Sequence, residues 1–143
     1  MQKFYIIFHV IVFAALGVLC SVSALPLAHA QNNDILSVEK IRFGTTHADK
    51  IRTVLEINQN ADFRVFTLTK PDRIVIDLPS FNWNTSVPEF PNATDITALR
   101  YGNLKPGISR VVLDVAQPVR IKDAFVLPGQ GNTAARLVVD YAF

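Results

Sequence analysis

Cysteine is almost missing from this chain. Its one copy among 143 residues, Cys20, falls inside an N-terminal apolar stretch, so the remainder has neither a disulfide framework nor a reactive thiol. A domain of that composition must hold itself together by core packing. Histidine is scarce too: of three, His9 and His29 belong to the first thirty residues, which leaves His47 in a polar turn. One histidine without cysteine does not make a typical zinc site, and His47 reads as an exposed loop residue. Net charge is small, with 14 basic against 12 acidic residues. That balance argues against nucleic acid, whose binders concentrate a basic excess on one face. Phosphate-loop, dinucleotide-binding and nucleophile-elbow motifs are absent, and no segment sustains an apolar stripe of helical period over three turns. The chain therefore reads as a non-enzyme, with no catalytic residue, metal or cofactor.

What is present begins with a leader. Lys3 precedes an uncharged apolar run from Phe4 to Leu19, and Ser21 to Ala30 closes with Ala28-His29-Ala30. Positive, apolar and small-residue segments in that order describe a secretory signal peptide cut after Ala30. The competing reading, a membrane-spanning anchor, meets a run shorter than the roughly 20 residues a span needs, followed by Pro26. Lipid attachment at Cys20 is disfavoured by Leu19, which stands where a modification box needs a small residue. The exported chain, residues 31–143, is expected to be one domain outside the membrane.

That domain repeats itself. Ile41-Arg-Phe-Gly44, Ile51-Arg-Thr-Val-Leu-Glu-Ile57, Phe63-Arg-Val65 and Arg73-Ile-Val-Ile-Asp-Leu78 return as Leu99-Arg-Tyr-Gly102, Ser109-Arg-Val-Val-Leu-Asp-Val115, Val119-Arg-Ile121 and Arg136-Leu-Val-Val-Asp-Tyr141. The offset is 58 at Arg42/Arg100 and Arg52/Arg110, and 63 at Arg73/Arg136 and Asp77/Asp140, which places the drift in one loop. Two copies, about 35–78 and 94–142, flank a Pro- and Asn-rich linker, 79–93, too irregular for a strand.

Each copy alternates with period two. Eight strands are expected, near 36–43, 50–57, 62–68, 73–78, 95–101, 109–115, 119–127 and 135–142, separated by turn-forming residues. Among those turns are Gly44 to Asp49 and Gly102 to Gly107. The expected fold is an all-β sandwich of two roughly four-stranded sheets with pseudo-twofold symmetry. Ile74, Ile76 and Leu78 share one face of their strand, and Arg73, Val75 and Asp77 the other. Arg136, Val138 and Asp140 repeat that outward pattern, as do Arg52, Val54 and Glu56, and Arg110, Val112 and Asp114.

Arg and acid at alternate outward positions can be read in two ways. On neighbouring strands they form cross-strand pairs on a solvated face that fixes register. Alternatively, Arg73, Arg110 and Arg136, with Asp77, Asp114 and Asp140, recognise a ligand carrying carboxylates, amides and hydroxyls. Trp83, the one tryptophan, sits in the linker with Phe81 and Phe90. It could stack on a sugar ring, or fold back with its neighbours to close the sandwich. Gly44 and Gly102 end equivalent strands and are expected to permit positive φ or a bulge.

The duplicated Leu-Arg-Tyr-Gly, Ser-Arg-Val-Val-Leu-Asp-Val, Arg-Ile-Val-Ile-Asp-Leu-Pro and Arg-Leu-Val-Val-Asp-Tyr elements resemble the AMIN domain, over residues 34 to 143. That domain is found in exported N-acetylmuramoyl-L-alanine amidases and in some secretins of bacteria with two membranes. The resemblance implies two four-stranded sheets, a periplasmic location and peptidoglycan as partner, with the module positioning a wall hydrolase at the division site. No residue matches the amidases' catalytic zinc ligands, so hydrolysis does not carry over, and the resemblance transfers no ligand-contacting residue. Two further readings stand beside it: the targeting portion of a truncated or split amidase, and a protein-interaction domain in an envelope or division assembly.

Overall fold

Lys50-Ile-Arg-Thr-Val-Leu-Glu-Ile57 places an apolar or small residue at every second position, and a pleated strand sends those side chains to one side. In the computed structural model this segment is strand β2, Lys50–Ile57, with Ile51, Thr53, Leu55 and Ile57 buried. The structure describes residues 35–46 and 50–143. The leader, its cleavage point, Cys20 and His47 lie outside them.

The described residues form nine strands: β1 (Leu36–Thr46), β2, β3 (Arg64–Leu68), β4 (Arg73–Pro79), β5 (Phe81–Trp83), β6 (Ile96–Lys105), β7 (Ile108–Val115), β8 (Arg120–Leu127) and β9 (Ala135–Ala142). They form two sheets, a five-stranded one in the order β5-β1-β2-β9-β8 and a four-stranded one in the order β3-β4-β7-β6. Leu55, Ile57, Leu137 and Val139 of the first sheet meet Ile74, Ile76, Val111 and Leu113 of the second in one continuous core. The fold is an all-β sandwich.

Each sheet combines both halves of the chain. The β1–β2 hairpin of the first half pairs with β9–β8 of the second, while β6–β7 of the second pairs with β4–β3 of the first. Register follows the sequence offsets: Arg52 lies opposite Gly44 and Asp140, and Arg110 lies opposite Gly102 and Asp77. The central ladders, β2 with β9 and β4 with β7, are therefore the joins between halves.

Several expectations need correction. The linker does contribute a strand: β5 adds parallel to β1, with Phe81 opposite Leu36 and Trp83 opposite Val38, so one sheet has five strands rather than four. Phe81 and Trp83 both pack on the core, which offsets the poor strand character of their neighbours. Strands β1 and β6 run past the expected turns at Gly44 and Gly102, as far as Thr46 and Lys105. Positive φ is found instead at Gly107, in the tight β6–β7 turn, and at Gly131. Phe63-Arg-Val65 does not match Val119-Arg-Ile121. Pairing puts Arg64 opposite Asp77 and Asp123 opposite Asp140, because ladder register, shifted between Ile121 and Asp123, decides the match.

Candidate functional site

The outer faces of the sheets differ from a wet, charged surface. Val75 and Val138, at the centres of β4 and β9, are buried although they point away from the core cluster. Each is flanked in register by an aromatic residue and a valine: Phe66 and Val112 beside Val75, Phe125 and Val54 beside Val138. These apolar strips demand cover, and long arginine stems with charged heads can give it.

Around the strips stand four ion pairs in two matched sets. Arg52 donates from Nε and Nη2 to both Asp140 oxygens at 2.7 Å. Arg110 does the same to Asp77, at 2.6 and 2.9 Å. Such two-point pairs are the strongest geometry open to arginine and carboxylate. The hydrogen bonds from arginine hold both carboxyls below the ordinary aspartate range, against the opposing effect of burial. Both guanidiniums are in turn pushed up. Nearer the sheet edges, Arg42 pairs with Glu56 and Arg100 with Asp114 at 2.6 Å.

The expected site residues consequently divide between opposite faces of the sandwich. Arg73, Asp77, Arg110 and Asp114 lie on the outer face of the four-stranded sheet, Arg136 and Asp140 on that of the five-stranded sheet. Arg73 donates to the Pro71 carbonyl at 3.2 Å, and Asp114 is held by Arg100. Arg136 is exposed and makes no ion pair among the described residues. Asp140 is buried against Arg52.

Of these residues, Asp77 and Arg110 border a groove. It lies on the four-stranded sheet, between the start of β3, the end of β4 and the β6–β7 turn, with a volume of about 630 Å³. Asp62, Arg64 and Lys105 join them as its charged groups, while Leu78, Pro79, Leu104 and Ile108 give apolar walls. Arg64 and Arg110 each lie over the Phe66 ring, at 5.0 and 5.4 Å from its centre. Charge from Arg64 and Lys105 reaches Asp77 and helps hold it ionised. Sequence reading overlooked Asp62, Arg64 and Lys105, although the position of Arg64 beside an aromatic strand residue was a usable signal.

Trp83 stacks on Tyr101, with ring centres 4.1 Å apart and planes inclined by 10°. On the other side of the linker Phe90 meets Phe43 edge-on at 5.5 Å. Linker aromatics thus cap the matching strand aromatics Phe43 and Tyr101, bridging the two sheets along one edge. Trp83 is half-buried in this closure, and Tyr101 is 48% exposed. Among the described residues no group of three or more His, Cys, Asp or Glu is placed to hold a metal, and no helix is long and apolar enough to cross a membrane.

The sequence has relatives among known proteins. Over 94 residues the chain is 35% identical to N-acetylmuramoyl-L-alanine amidase AmiC of Neisseria meningitidis serogroup B. The match covers 62% of this chain and 22% of the amidase, so the chain corresponds to a minor part of that relative's length. The sequence profile of the AMIN domain matches residues 38–141, from the buried Val38 of β1 to the buried Tyr141 of β9. The chain belongs to the AMIN domain family.

Proposed function

We propose that this protein is a non-catalytic, exported module that binds peptidoglycan in the periplasm and targets activity to the cell wall. The observation that carries the reading is the groove on the four-stranded sheet, where Arg64 and Lys105 lack carboxylate partners among the described residues beside apolar walls, in a family that includes a domain of a wall amidase. Peptidoglycan offers carboxylates, amides and sugar faces in a repeating polymer, so individually weak contacts are multiplied along it. The leader read at residues 1–30 would deliver the domain to that compartment.

Co-sedimentation of the purified protein with protein-free sacculi tests this at two salt concentrations. Pelleting that weakens at high salt is the expected result, because exposed charges are screened. Protein left in the supernatant at both concentrations would refute it. The amidase relative favours a second reading, that the domain serves as the targeting part of a wall amidase. A reading frame after Phe143 that encodes a zinc-binding hydrolase domain is its expected mark, and the lack of one speaks against it.

A further inference from the structure

The groove's charges can be counted against one another. Arg110 and Asp77 are consumed by their two-point pair, since both carboxylate oxygens accept from the same guanidinium. Arg64, Lys105 and Asp62 remain. All three are exposed, and none forms an ion pair among the described residues. The Arg64 guanidinium is held over Phe66 rather than by a carboxylate, which fixes its position while leaving its donors for a ligand. Lys105 is carried to the same place by the β6–β7 hairpin, whose turn at Gly107 adopts φ of 81°. Two cations and one carboxylate, lined by aliphatic and proline surface, complement a ligand with an excess of carboxylate and one ammonium. Neutral sugars present no such pattern.

On this basis, and resting on the wall-binding reading above, we infer that the groove is a subsite for the peptide part of the polymer. It would take the charged end of a diamino-acid residue, carboxylate toward Arg64 and Lys105, ammonium toward Asp62, and aliphatic stem along Pro79, Leu104 and Ile108. A volume of about 630 Å³ has room for such a residue and its neighbours. Arg110 acts here as a positioning residue: it neutralises Asp77 at the groove wall and shares the Phe66 ring with Arg64.

The test titrates the purified protein with a soluble disaccharide tetrapeptide containing a diamino acid with a free amine. The same compound acetylated at that amine and the peptide-free disaccharide serve as comparisons, with sacculus pelleting run in parallel. The expected result is binding of the tetrapeptide, at least fivefold weaker binding after acetylation, and none to the disaccharide. Arg64→Ala with Lys105→Ala should weaken tetrapeptide binding at least tenfold. Asp62→Asn should remove the preference for the free amine. These exposed, unpaired residues leave the core intact, which an unchanged thermal melt checks. If the wild type pellets with sacculi but the variants bind the tetrapeptide as it does, or the disaccharide binds equally well, the groove assignment is overturned and wall binding stands. If the wild type neither pellets nor binds the tetrapeptide, both fall.

Discussion

The two outer faces carry the same motif and use it differently. On the five-stranded sheet, Arg52 closes over an Asp140 side chain that is only 5% exposed, and the strand position opposite Asp140 is another acid, Asp123. On the four-stranded sheet the Asp77 side chain is 13% exposed, and the matching position is a base, Arg64. Phe66 lies under two guanidiniums, whereas no cation is placed over Phe125 among the described residues. On the five-stranded face the central pair therefore sits against an acid, while on the four-stranded face it sits beside two further cations at a groove. The two faces thus share one ion-pair geometry and differ in the charges that surround it.

The largest effect expected from breaking this comparison comes from removing each arginine in turn. Arg52→Ala leaves a buried carboxylate facing Asp123, with only Lys50 nearby to compensate, and should cost about 2–4 kcal/mol. Arg110→Ala leaves Asp77 near Arg64 and Lys105 and should cost about 1–2 kcal/mol. Urea unfolding of both variants checks the order, and equal losses would mean that the faces are equivalent.

A smaller effect concerns the inward positions one step along. Tyr141 of β9 corresponds to Leu78 of β4, so the five-stranded sheet alone carries a buried phenol there. Burial pushes its pKa up to about 12, helped by the charge of Asp95 and opposed by the Thr53 hydroxyl, from an ordinary value of 10.0. The unfolded phenol therefore loses its proton first, and stability should fall between pH 10 and 12, by on the order of 2 kcal/mol. Thermal melts across that range should show the decline in the wild type and a clearly smaller one in Tyr141→Phe.

Smallest of all is the glycine pair opposite the two arginines. A side chain at Gly44 or Gly102 would enter open space, and neither has positive φ. Alanine at either position should stabilise by about 0.4–1 kcal/mol, through the unfolded chain, and to the same extent at both. Unequal melting shifts would locate a difference between the faces that the backbone does not carry.

Legibility in the sequence followed the range of the interactions. Strands β2, β7 and β9 sit within about a residue of their expected bounds, because period-two alternation is local and each buries alternate side chains in the core. Strand β5 escaped: three residues among Pro and Asn have little pattern of their own, and their partner β1 lies far back in the chain. Asp77 and Arg110 were readable as an outward acid and base on repeated strands, and the structure joins them. Asp62, Arg64 and Lys105 reach the groove from an edge strand, its approach and a hairpin end, a convergence set by tertiary packing. The outward valines looked solvent-facing because alternation reports which side a residue faces, and it does not report how much its neighbours cover.

The exchange of strands between halves also governs the order in which the protein can fold. Arg52 waits for a partner 88 residues away, and β4 likewise finds β7 only across the linker. While the chain is being made, residues 36–79 have no complete sheet to join, and their hairpins expose open edges until β9 emerges. Cooperative folding thus requires nearly the whole domain, and the two sheets close together only once β7 and β9 are in place.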